Sequence, residues 1–179
     1  MKPMFSEIPV LEDDRICLRK VTDPDAEALE ELVNNSRVYR YLPTFLFEKQ
    51  YRDMHRMITE LYGDLFLNKE SLILGICLKD GDELCGLAEF YGFKDYIHKI
   101  SIGYRLLEEY WGKGIASRTV ALMIDYLYSS TEIEIITAST MIENMASRRV
   151  LEKNGFLQTT IAEEDWGYRE PVTVNKWFR

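Results

Sequence analysis

Polar and apolar positions alternate in Arg15-Ile16-Cys17-Leu18-Arg19, which predicts a half-buried strand ended by Thr22-Asp23-Pro24-Asp25. The period then lengthens. Ala28, Leu29, Leu32 and Val33 recur at helical spacing, between a candidate cap at Asp23 or Asp25 and a stop at Asn34-Asn35. From Val38 to Phe47 the chain is aromatic and aperiodic and carries Pro43, so a shaped loop is expected. Met54, Ile58, Leu61 and Leu65 restore the helical spacing and predict a second helix over 48–67, broken near Gly63.

Ser71 to Leu78 is a continuous apolar run, and Asp80-Gly81-Asp82 joins it to Leu84–Tyr91 as a hairpin. Phe93 to His98 then leads into a further strand, Lys99–Leu106, completing a meander. Ala116, Val120, Met123, Ile124 and Leu127 form the apolar stripe of a third helix. Ile133–Thr140 is β-branched and extended. Because a helix separates them, the strands 99–106 and 133–140 are expected to pair in parallel. Asn144 caps a short fourth helix with Ala146, Val150 and Leu151 inward and Asn154-Gly155 as its stop. Phe156–Ile161 and Val172–Phe178 are the last strands, joined by Glu163-Glu164-Asp165-Trp166-Gly167-Tyr168. The order predicts an α/β (α+β) fold: a mixed, mostly antiparallel sheet of about seven strands flanked by about four helices. A single domain over 1–179 is expected.

Composition narrows the function. With 46% hydrophobic and 29% charged residues, the 179-residue chain reads as globular, and no apolar run approaches the ~20 residues of a membrane span. The N-terminal stretch lacks the pattern of a secretory signal, so a cytoplasmic protein with no membrane partner is expected. A net charge of −8 argues against nucleic acid as a partner and favours a cationic small molecule or basic peptide by steering. Cys17, Cys77 and Cys85 have neither disulfide nor zinc spacing, and His55 and His98 are too few for a histidine cluster, so no metal is expected.

The chemistry concentrates in Ile102 to Ser117. There a strand passes into a helix through Gly112-Lys113-Gly114. The first amides of a helix have no internal partner and carry the positive end of its dipole, and glycines let an anion approach the backbone. On spacing alone this is neither a P-loop nor a dinucleotide fingerprint, and a plain surface turn fits as well.

The same residues resemble the acetyl-coenzyme A signature of the GNAT acetyltransferase superfamily, a Gln or Arg followed by two residues, a Gly, one residue and a Gly or Ala. Gly114 and Ala116 fill the small positions. Trp111 replaces the Gln or Arg, and Tyr110-Trp111-Gly112-Lys113-Gly114 is similar to the branch of ribosomal-protein N-terminal acetyltransferases. A second motif agrees: Asn144, Ser147 and Glu152-Lys153-Asn154-Gly155-Phe156 resemble that superfamily's fourth-helix pattern. The resemblance implies a GNAT fold whose parallel strands splay apart, with acetyl-CoA as co-substrate. It implies main-chain contacts to the coenzyme arm at Tyr104 and Leu106, with the Leu106 N–H facing the oxyanion. It assigns Trp111, Gly112, Lys113, Gly114, Ile115, Ala116 and Ser117 to the pyrophosphate turn, and Asn144 and Ser147 to further coenzyme contact.

Acetyl transfer to an amine needs a neutral amine, a stabilised oxyanion and a proton for the leaving thiolate. An α-amine of pKa ~8 is about a tenth neutral near pH 7, whereas an alkylamine of pKa ~10.4 needs a base. Where many relatives place a strand glutamate this chain has Ser101. Glu89 is then the best candidate base, unless it sits on a solvent face. Where many relatives place a helix-four tyrosine the chain has Leu151, leaving Ser147 as candidate acid, as helix cap, or the thiolate leaving unassisted. The acceptors implied are a protein or peptide N-terminal amine, or a polyamine. Gly86-Leu87-Ala88-Glu89 and Asp95-Tyr96-Ile97-His98-Lys99 resemble spermidine N-acetyltransferases, and Glu163-Glu164-Asp165 would hold a cationic chain. Aminoglycosides, and a non-catalytic acetyl-CoA sensor, are the other readings. Monomer and homodimer are both open.

Overall fold

The computed structural model describes residues 2–179. Its strands are β1 (Leu11–Glu12), β2 (Ile16–Arg19), β3 (Ser71–Leu78), β4 (Leu84–Lys94), β5 (Lys99–Leu106), β6 (Ile135–Met141), β7 (Leu157–Glu164) and β8 (Val172–Phe178). They form one eight-stranded sheet in the order β1-β2-β3-β4-β5-β6-β8-β7. The strand beyond the expected seven is β1, an edge of two residues too short to show a period. β3 is buried on both faces because it lies inside the sheet, which explains why its sequence is a continuous apolar run.

The helices are α1 (Ala26–Asn34), α2 (Met54–Glu60), α3 (Ile115–Ser130) and α4 (Met145–Lys153). The expected helix over 48–67 is corrected. Phe47–Gln50 is a separate 3-10 turn, and α2 starts after Asp53, whose carboxylate accepts the N–H groups of His55 and Arg56 at 3.0 and 3.3 Å. Gly63 lies within a π turn, Leu61–Leu65, that widens the helix without ending it. On α4 only Leu151 is buried; Val150 is half-buried and Ala146 is exposed. The main core lies between the helices and the sheet, with Phe90, Leu72, Leu74, Met57, Leu61 and Met123 fully enclosed. Burying each such side chain contributes about 1.5–3 kcal/mol before entropy is counted.

The feature that positions the site is the junction of β5 and β6. They pair in parallel only at Lys99–Ile135, Ile100–Ile136 and Ser101–Thr137. Beyond Ser101, β5 stays bonded to β4 as far as Leu106, while β6 stays bonded to β8 as far as Met141. The two strands therefore diverge and open a wedge in the middle of the sheet.

Candidate active site

At the wide end of the wedge, Glu108–Tyr110 forms one 3-10 turn and the chain reaches α3 through two glycines. Gly112 and Gly114 have φ of 70° and 78°, and a Cβ on either would meet nothing within 4 Å. Backbone conformation, not crowding, selects glycine here. Gly114 caps the 16-residue α3, and the amides from Gly112 to Ser117 find no acceptor among the described residues. Six donors in a row at the positive end of a helix make an anion cradle. Arg118, one residue further, is held by Asp13 and Asp14 at 2.7 and 2.6 Å.

Next along the wedge lies β5. Leu107 N–H donates to the Cys85 carbonyl at 2.8 Å. The alternation of an antiparallel ladder then turns the N–H and C=O groups of Tyr104 and Leu106 away from β4, toward the gap. The Leu106 carbonyl accepts the Trp111 indole N–H at 3.0 Å. Across the gap, Asn144 caps α4 by accepting the Ser147 N–H at 3.1 Å. The Ser147 Oγ lies 2.9 Å from the Tyr104 hydroxyl.

The other face of the sheet supplies the far wall. Register pairs Glu89 with Gly103 and Tyr91 with Ser101, so Glu89, Tyr91, Ser101, Gly103 and Arg105 share this face. Glu89 is 9% exposed and both its oxygens are taken: Ser71 Oγ donates at 2.7 Å and Arg105 Nη1 at 2.9 Å. Arg105 Nη2 donates to Glu48 at 2.8 Å, and Tyr39 O–H donates to the same carboxylate at 2.8 Å. Two carboxylates thus share one buried guanidinium, leaving a net negative charge beside the cavity. Burial, then the charges of Glu89 and Glu164, push the Tyr91 hydroxyl above its ordinary range, so it stays protonated.

One continuous cavity of about 1390 Å³ joins these parts. It runs from Gly112, Gly114, Ile115, Ala116 and Ser117, past Tyr104, Leu106, Asn144 and Ser147, to Glu89 and Tyr91. Its outer end is walled by Arg40, Tyr41, Phe45 and Phe47 and by Glu164, Asp165 and Trp166. This exceeds the ~300–1,000 Å³ of a common ligand pocket and suits an elongated or two-part occupant. Of the sequence-predicted site residues, Lys113 and Glu163 lie off the lining; the Lys113 ammonium stands 5.5 Å over the Tyr110 ring.

Comparisons with known proteins give the family. The family model for the acetyltransferase (GNAT) domain matches residues 15–157. The chain belongs to the GNAT acetyltransferase family. It is an N-acetyltransferase by family, an acyltransferase by reaction class. The uncharacterized N-acetyltransferase YoaA of Bacillus subtilis is 32% identical over 148 residues, covering 83% of this chain and 82% of that one. Among solved GNAT structures, RimL, a ribosomal L7/L12 alpha-N-protein acetyltransferase in complex with coenzyme A, superposes with a TM-score of 0.79. It is 18% identical and covers 96% of this chain and 97% of its own. The spermidine N-acetyltransferase from Vibrio cholerae, in complex with CoA and spermine, gives 0.76 at 19% identity, covering 93% and 96%. At that identity these two speak for the fold.

Sequence reasoning missed the Arg105 clamp, the Tyr91 and Tyr104 hydroxyls, and Lys176, which holds Glu164 and donates to Ser139 Oγ at 2.8 Å. A signal existed for part of this. The meander and its hairpin place Glu89 and Arg105 on one face of the sheet once the register is counted. Glu48, in an aperiodic turn, gave none.

Proposed function

We propose that the protein transfers the acetyl group of acetyl-CoA to the α-amine at the N-terminus of a protein or peptide. In this reading the amides from Gly112 to Ser117 hold the pyrophosphate, and the arm lies in the wedge against Tyr104 and Leu106. Trp111 fixes the turn, and Asn144 and Ser147 border the arm from α4. The amine attacks the thioester carbonyl directly, the Leu106 N–H faces the oxyanion, and Ser147 O–H meets the departing sulfur.

The observation that carries the choice of acceptor is the state of the carboxylates. Glu89 is bonded by Arg105 and Ser71, and Glu164 by Lys176 and by Trp166 Nε1 at 2.8 Å. Each oxygen of both groups already accepts a hydrogen bond, one on each carboxylate from a cation, so neither is assigned as the base in this reading. Glu89 contributes instead to the negative side of the cavity that draws the cationic acceptor, and deprotonation falls to solvent. That suits an amine of pKa ~8 far better than one of ~10.4. The ribosomal acceptor named for RimL supports the same class.

A polyamine is the second reading, favoured by Asp165 at the cavity mouth and by the spermine-bound relative. Release of free CoA thiol from acetyl-CoA, measured against peptides with free N-termini, spermine, spermidine and aminoglycosides, tests the choice. Peptides are expected to be turned over fastest. Preference for polyamines would reverse it, and coenzyme binding without any turnover would favour a sensor.

A further inference from the structure

The hydroxyl pair at the centre of the wedge is built from two elements. On α4, the residue one turn beyond Ser147 is Leu151, 1% exposed and packed in the core, so the helix brings one hydroxyl to this part of the cavity. The second comes from the sheet. Tyr104 crosses from β5 so that its hydroxyl lies 2.9 Å from Ser147 Oγ and 3.5 Å from the Ser147 carbonyl. Both residues line the cavity, and the backbone of Tyr104 faces the same gap. Ser147 sits in the first turn of the nine-residue α4, where the helix dipole favours negative charge.

We propose that Tyr104 is a positioning residue for acetyl transfer, donating to Ser147 Oγ so that the serine proton is turned toward the coenzyme sulfur. As the carbon–sulfur bond of the tetrahedral adduct breaks, its electron pair stays on sulfur. The Ser147 proton passes to sulfur and the Tyr104 proton passes to the serine oxygen. The phenolate recovers, through solvent, the proton that the amine nitrogen loses in becoming an amide, so protons balance. Burial, only partly opposed by the bond to Ser147, pushes the Tyr104 hydroxyl up to about 12. It is therefore loaded at every working pH.

The inference rests on the acetyl-CoA reading of the cavity, and its test separates the two. The protein is titrated with CoA, and the pKa of the bound thiol is read from thiolate absorbance in wild type, Tyr104→Phe and Ser147→Ala. In wild type the bound thiol should titrate below the ~8.5 of an ordinary thiol, because hydrogen bonds favour its anion. Tyr104→Phe should raise it by about one unit, with CoA affinity within about twofold, and lower kcat about a hundredfold. The double variant should be no slower than Ser147→Ala alone. If Tyr104→Phe does not fold, Ser147→Ala reads the same pair from the helix side and should raise the thiol pKa equally. CoA that binds with the same thiol pKa in wild type and variants overturns the inference alone. A loss of CoA affinity as large as the loss in kcat does so too, since that marks a structural role. Failure of wild type to bind CoA overturns the cavity reading as well.

Discussion

The indole N–H of Trp111 donates to the carbonyl oxygen of Leu106 at 3.0 Å, bridging the end of β5 to the turn that opens α3. The bond occupies the Leu106 carbonyl and sets the strand end at a fixed distance from the amide cradle. Arg37 lies over the same ring at 5.8 Å and is itself paired with Glu108. Trp111→Leu is expected to raise the KM for acetyl-CoA about fivefold, the worth of one ordinary hydrogen bond, with a smaller change in kcat. Initial rates at varied acetyl-CoA check this.

Gly114 has open space around it but a φ of 78°. Gly114→Val should cost about 1–2 kcal/mol in the left-handed conformation and turn the first amides of α3 away from their common focus. Coenzyme affinity by calorimetry is expected to fall at least about tenfold while the protein remains folded, since the strain is small beside total stability. Gly114→Asn, which tolerates this conformation, should lose less.

Removing Arg105 strands two buried carboxylates. Arg105→Met is expected to destabilise the fold by about 3–5 kcal/mol, because Glu48 and Glu89 are left facing each other without a counter-charge. Urea unfolding measures it. Glu48→Gln combined with Arg105→Met should recover part of the loss, since one stranded charge is gone.

Asp25 gives a signed pH dependence. Burial alone would raise its carboxyl, but the Arg19 guanidinium at 2.9 and 3.0 Å and the Thr22 amide at 2.8 Å outweigh it and hold the group below its ordinary value. A depressed folded value means stability that is complete above the unfolded pKa, ~3.9, and is lost as pH falls through the folded one. Asp25→Asn should therefore be less stable than wild type at pH 7 by about 2–3 kcal/mol, the gap closing as both are taken below pH ~4. Thermal melts across that range would show it.

Much of the fold was legible because its elements carry their own periods. Ala116 to Leu127 announces α3, the apolar run of β3 announces an interior strand, and the crossover implies the parallel pair. The glycine turn and the α4 cap are likewise local: Gly112, Gly114, Ala116, Asn144 and Ser147 belong to two short runs. The contacts made between distant elements are not. Glu48 and Arg105 lie 57 residues apart, and Tyr104 and Ser147 are 43 apart. Their meeting depends on sheet register and helix placement, which no local pattern records. Glu89 shows the consequence: its place in an apolar run singled it out, but its role follows from a guanidinium two residues along the facing strand from its own partner.

The most direct measurement offers the enzyme one peptide carrying both a free N-terminal amine and an internal lysine, with acetyl-CoA, and locates the acetyl group by mass spectrometry across pH 6–9. The account predicts acetylation of the α-amine, with kcat/KM rising to a plateau near the pKa of that amine, ~8. Acetyl on the lysine side chain, or a rate independent of the amine's ionisation, would contradict it.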